Sequence, residues 1–157
     1  MPTRRLAILS LALLVVLAAP RAGRAGALAP AKASDVVTLL STPTKCGITS
    51  VTVDARNLPD GTTAENFVVP EKSVLVVTEV EVLVVEATPS QVATVGVTID
   101  GVSQLALVSA IADSAGNAAA TVVLPNGTVV GAGRKVCIAA TSGIAVGAVH
   151  GFLAKAK

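Results

Sequence analysis

The chain has no Trp and no Tyr, only two Phe (Phe67 and Phe152), a single His (His150) and a single Met, the initiator. Each shortage removes chemistry. A cupin-type metal centre gathers several imidazoles and a carboxylate around one ion, and one His cannot supply them. A Ser–His–acid hydrolase needs its His beside a nucleophile. His150 sits in a late apolar stretch with no Gly-x-Ser-x-Gly elbow anywhere in the chain, so it reads as a strand-surface His. Two Phe flanked by apolar neighbours leave no stacking platform for sugars or bases and read as core. An immunoglobulin core wants a buried Trp, and there is none. Charge is scarce too, at 14%, yet 52% hydrophobic content is far too apolar for a disordered chain.

The N-terminus accounts for much of the basic charge. Arg4 and Arg5 precede Leu6–Ala19, an apolar run of 14 residues with Ser10 its one polar member. As a helix this run would be about 21 Å long, short of a hydrocarbon core of about 30 Å. Pro20 ends it, and Ala25-Gly26-Ala27 is a small-residue cleavage site. Residues 1–27 therefore read as a secretory signal peptide, with Ala31-Lys32-Ala33 as a second possible site. Residues 28–34 read as a mobile leader and 35–157 as the domain. Cleavage removes four of twelve basic residues and none of ten acidic ones, leaving a net charge of −2. That balance argues against nucleic acid. Cleavage also removes the one run that approaches a membrane span. Cys46 and Cys137 both lie in the mature part, where export into an oxidising compartment would bridge them.

From Asp35 onward apolar residues alternate, or run briefly, between Pro, Gly, Asn and Asp. Strands are expected at Val36–Leu40, Ile48–Val53, Asn66–Val69, Ser73–Glu86, Gln91–Ile99, Ser103–Ile111, Ala118–Leu124, Thr128–Val130, Lys135–Ala140 and Ile144–Leu153. Asp100-Gly101 is a hairpin turn dipeptide. Asp113–Asn117 and Pro125-Asn126-Gly127 read as further turns. Ser73–Glu86 is long for one strand, about 43 Å at ~3.3 Å per residue, and is expected to bend or split near Thr78–Glu81. Eight to ten short strands and no amphipathic helix indicate an all-β, jelly-roll-like antiparallel β-sandwich.

Three blocks add a resemblance: Phe67–Thr78, Gly133–Ile138 and Val149–Leu153. Together they resemble small uncharacterised exported bacterial jelly-roll-like β-sandwich proteins, in which a Val-Pro-containing turn launches the central strand and a Gly-aromatic-Leu strand closes the domain. The chain departs from that pattern at Glu71 and Ser73, where such turns place Ala and Gly. The resemblance implies a fold and no activity.

The remaining candidates each have a plain alternative. Gly131-Ala132-Gly133-Arg134-Lys135 fails the phosphate-loop patterns and reads as a tight turn. Glu79 and Glu81 share a strand face, where paired carboxylates can hold a cation or move a proton, but they read as a solvated strip. Asp54, Asp60 and Asp100 are expected in or beside turns without a calcium-loop spacing. Asn126-Gly127-Thr128 is a formal glycosylation sequon. The expectation is an exported protein with no catalytic residue, cofactor or metal. It would act by surface contact, as a homo-oligomer or with an envelope partner. The rival is a small-ligand or carbohydrate-binding module.

Overall fold

In the computed structural model, residues 30–46 and 50–156 are described. The expected signal peptide, the start of the expected leader and the first residues of the expected Ile48–Val53 strand lie outside the described residues. Among the described residues, one 3₁₀ turn at Ala33–Asp35 is followed by nine strands: β1 Val36–Lys45, β2 Val51–Asn57, β3 Thr63–Ala64, β4 Ser73–Val85, β5 Val92–Ile99, β6 Ser103–Ile111, β7 Ala118–Val130, β8 Val136–Ala140 and β9 Ile144–Lys155. The β-branched residues that dominate these segments pack well on a pleated surface and poorly in a helix. Among the described residues no helix is long and apolar enough to cross a membrane.

All pairings are antiparallel, and the order is β6-β5-β8-β2-β1-β9-β4-β7, with β3 beside β2. The chain can be followed as one nested hairpin. β5 pairs β6 at its tip, then β4 pairs β7, β2 pairs β8, and β1 pairs β9. Rolling that hairpin up adds the lateral contacts β1–β2, β4–β9 and β5–β8, which is jelly-roll connectivity. The tip is the Asp100-Gly101 turn, with φ of 52° and 73°. Two positive φ values define the type I′ turn, whose twist matches the flanking strands. β6 and β7, the ends of the path, approach one another without forming a ladder, so the sheet nearly closes.

One cluster fills the interior. It includes Val37 and Leu39 of β1, Leu75, Val77, Val80 and Val82 of β4, Val95 and Val97 of β5, Ile138 of β8 and Val149 of β9. Each such side chain contributes roughly 1.5–3 kcal/mol on burial. Phe67 packs at the edge of this cluster. Phe152 is buried but lies outside it, on the outer side of β9 opposite Val76.

β4 bends where expected. The ladders to β7 and β9 both shift register between Val77 and Glu79, leaving Thr78 as the extra residue of a β-bulge. The bulge changes the faces that simple alternation implies. Leu75 and Val77 point inward before it, and Val80, Val82 and Val84 after it. Opposite the bulge, residues 124–127 loop out of β7 and cover Val76; a Cβ on Gly127 would lie 2.5 Å from Val76 Cγ1. Pro125-Asn126-Gly127 is thus an excursion within one long strand, not a turn between two. Asn66–Val69 is not a strand either. Asn66 adopts a left-handed φ of 61°, and the Phe67 amide donates to the Asp54 carbonyl.

Candidate functional site

β1, β9, β4 and β7 present a continuous outer face. Inward placement of Val80 and Val82 turns Glu79, Glu81 and Leu83 outward by alternation. The ladder sets Glu79 opposite His150, and His150 opposite Thr38. His150 Nδ1 lies 3.2 Å from Thr38 Oγ1. Its Nε2 lies 3.8 Å from Glu81 Oε2 and is buried without a hydrogen-bond partner. Sequence reasoning missed Thr38, which is 112 residues from His150 and is brought there only by the β1–β9 ladder.

Hydroxyl, imidazole and carboxylate thus lie in the order of a hydrolytic triad, but two features of the described residues differ from one. The Glu81 contact is longer than a hydrogen bond. Thr38 sits mid-strand in a paired segment, where ladder amides do not converge on a developing oxyanion. The arrangement orients an imidazole on a strand surface.

Beside this cluster lies a shallow open groove of about 590 Å³, bordered by Leu40, Glu81, Leu83, Thr121, Val146 and Ala148. Its lining is mostly apolar, with Glu81 the one acidic residue in it. Leu83 and Val146 remain 41% and 38% exposed.

The other sequence candidates separate. Asp54 is not in a turn: it is buried within β2, where one carboxylate oxygen accepts from Thr42 Oγ1 at 2.7 Å. Asp60 accepts from the Thr62 hydroxyl and amide. Those bonds, the hydroxyl's foremost, hold its carboxyl below the usual range. Asp100 accepts from the Lys135 amide and from Arg134, 2.7 Å away; the amide first and the guanidinium second lower its pKa. The Gly131–Lys135 segment therefore serves as a turn strapped to the β5–β6 tip. Asn126 is exposed on the β7 excursion. Among the described residues no three His, Cys, Asp or Glu side chains converge as metal ligands would.

Cys46 and Cys137 are brought to disulfide distance, with Cα atoms 5.9 Å apart, inside the usual 4.4–6.8 Å window. Cys46 follows β1 and Cys137 is buried in β8. The pair therefore spans β2, which pairs with both strands. Arg56 of β2 stacks over Phe67, 5.5 Å from the ring centroid, and donates to the Ser34 carbonyl, tying down the segment before β1. No protein-family model matches the chain, and no curated protein sequence matches it.

Proposed function

We propose that the mature chain is an exported, non-enzymatic β-sandwich that acts by surface contact in the periplasm or outside a bacterial cell, as a structural, adhesive or self-assembling subunit. One observation carries this reading: large apolar side chains stand exposed on the outer strand faces, among them Leu83, Leu107, Ile111, Val123 and Ile144. Solvated sheet faces normally alternate to polar residues, and contiguous apolar exposure marks contact surfaces. The disulfide-distance cysteine pair suits an oxidising compartment, as does the apolar N-terminal run. The resemblance to small exported bacterial jelly-roll-like proteins points the same way.

A second reading, a small-ligand or carbohydrate-binding module, is favoured by the open groove at Leu83 and Val146. An experiment separates the readings. A photo-crosslinking residue is placed at Leu83 and, separately, at Ile144, and the protein is irradiated in the producing cell. Crosslinks to its own copies or to an envelope protein are the expected outcome. A strictly monomeric, uncrosslinked protein with a hydrolase activity abolished by His150→Ala would overturn the proposal.

A further inference from the structure

Strand β6 ends the sheet. It is hydrogen-bonded to β5 on one side; β7 approaches it, but among the described residues no strand pairs with its other side. Such an edge presents a row of free amides and carbonyls, and its hydrogen-bonding complement is another extended segment. Proteins blunt edges with charge, Pro or bulges. The opposite end of the sheet is blunted in this way, because β7 carries Pro125 and loops out at 124–127. β6 has a single irregularity at Leu105, near its start, where Val97 pairs Ala106 and Thr98 pairs Gln104. From Ala106 to Ile111 the ladder is regular, and neither β5 nor β6 contains a charged residue or a Pro.

We infer that this edge is a self-association surface, at which two copies of the chain pair β6 with β6 antiparallel about a twofold axis. The inference rests on the surface-contact reading and names its partner. The matching of the two edges argues for a second copy. An uncharged edge meets an uncharged edge, so self-pairing creates no like-charge contact. A twofold at Ser109 makes the segment complementary to itself. Leu107, 59% exposed, then faces Ile111 of the second copy, 72% exposed. The reciprocal pair forms across the axis, as an isologous interface requires. Val92, paired with Ile111 on β5 and 60% exposed, widens the same apolar stripe. Toward the interior, Val108 meets the second copy's Ala110.

The register makes a specific test. Directly opposed residues in antiparallel strands have Cα atoms about 4.5–5.5 Å apart, within disulfide reach. Mature protein from an oxidising compartment, carrying Ser109→Cys, is expected to form a disulfide-linked dimer on mild oxidation, whereas Thr121→Cys on β7 does not. Sedimentation should show a concentration-dependent dimer. Leu107→Lys should raise its dissociation constant about tenfold or more, by setting a cation against the second copy's Ile111 twice over, while leaving the unfolding curve in place. Ile111→Lys is the second variant, with the same expectation. A wild-type monomer at the highest soluble concentration, or a dimer indifferent to both lysines, overturns the inference. So does a leader deletion that converts monomer to dimer, because the chain's own leader would then be the occupant. Crosslinks from Leu83 to a different envelope protein, in a chain monomeric on its own, would leave the surface-contact reading standing and remove only the β6 pairing.

Discussion

Strands β4 and β6 solve the same problem in opposite ways. β4 is fenced by ladders on both sides, to β7 and β9, and carries Glu79 and Glu81 on its outer face. β6 has a ladder on one side only and no charge. Between Ala87 and Gly133 the only charged residues are Asp100 and Asp113, both in turns. Charge thus stands on a strand that has no free edge and is missing from one that does. Selection for a solitary soluble domain would favour the reverse, so the contrast bears on function as well as on fold.

The largest expected effect comes from cutting the tie between the two regions. Cys46 follows β1, which pairs with β9, and Cys137 lies in β8 beside β5. A cross-link 91 residues apart in sequence restricts the unfolded chain strongly. Cys46→Ser or Cys137→Ser, in protein made in an oxidising compartment, should lower stability by about 2–5 kcal/mol. Urea unfolding with and without reductant measures it, and intact mass two hydrogens below the reduced value checks that the bridge forms. Reactive thiols at both positions in that native protein would contradict it.

Truncating one Leu in each region sharpens the comparison. Leu75 of β4 is 1% exposed within the core cluster, and Leu75→Ala should cost about 2–5 kcal/mol through lost burial and the cavity left behind. Leu107→Ala removes an exposed side chain of β6 and should stay within about 0.5 kcal/mol. If the two losses in denaturant midpoint came out equal in protein dilute enough to be monomeric, Leu107 would be packed within its own chain and the contrast would fail. A third change breaks the hairpin tip. Gly101→Val forces a β-branched residue to φ 73° and brings its Cβ to about 3.1 Å from the Cys46 carbonyl oxygen. The backbone conformation alone costs roughly 1–2 kcal/mol, read from the same melts.

These positions also show what was legible in the sequence. The β5–β6 hairpin was read to within a residue, because Asp-Gly turn chemistry and period-two patterning are local. The bend in β4 was visible as the place where Thr78 interrupts one apolar face and Glu79 and Glu81 the other. That Thr78 bulges and flips the inward set was not, because a bulge is a property of two ladders. Pro125-Asn126-Gly127 carried a turn signal, but the long partner β4 keeps both flanks in one strand. Asp54 was expected in or beside a turn because of its residue type; Thr42, across the β1–β2 ladder, allows it to be buried. The His150 neighbourhood was illegible for the same reason, since Thr38 and Glu81 reach it through the β1–β9 and β4–β9 pairings.

The smallest effect expected is on acidification, and it comes from the turns where the uncharged stretch keeps its two acids. The amides of Ala115 and Asn117 both donate to Asp113 Oδ1 at 2.8 Å, and these bonds, led by that of Asn117, hold its carboxyl below the usual value. Asp100 is lowered by the Lys135 amide and Arg134. A carboxylate lowered in the folded state binds its proton more readily when unfolded, at about pH 3.9 for Asp. Its stabilising contribution is therefore complete above that pH and is lost as the pH falls through the folded value. The denaturant midpoint should be flat near neutrality and drop below about pH 4. Asp113→Asn and Asp100→Asn should each lower the neutral midpoint slightly and flatten the acid limb. Asp100→Asn should act further, since it also releases Arg134 and the strap that holds the β8 approach to the β5–β6 tip. An acid limb as steep in the double variant as in the parent would mean that these turns do not set the acid response.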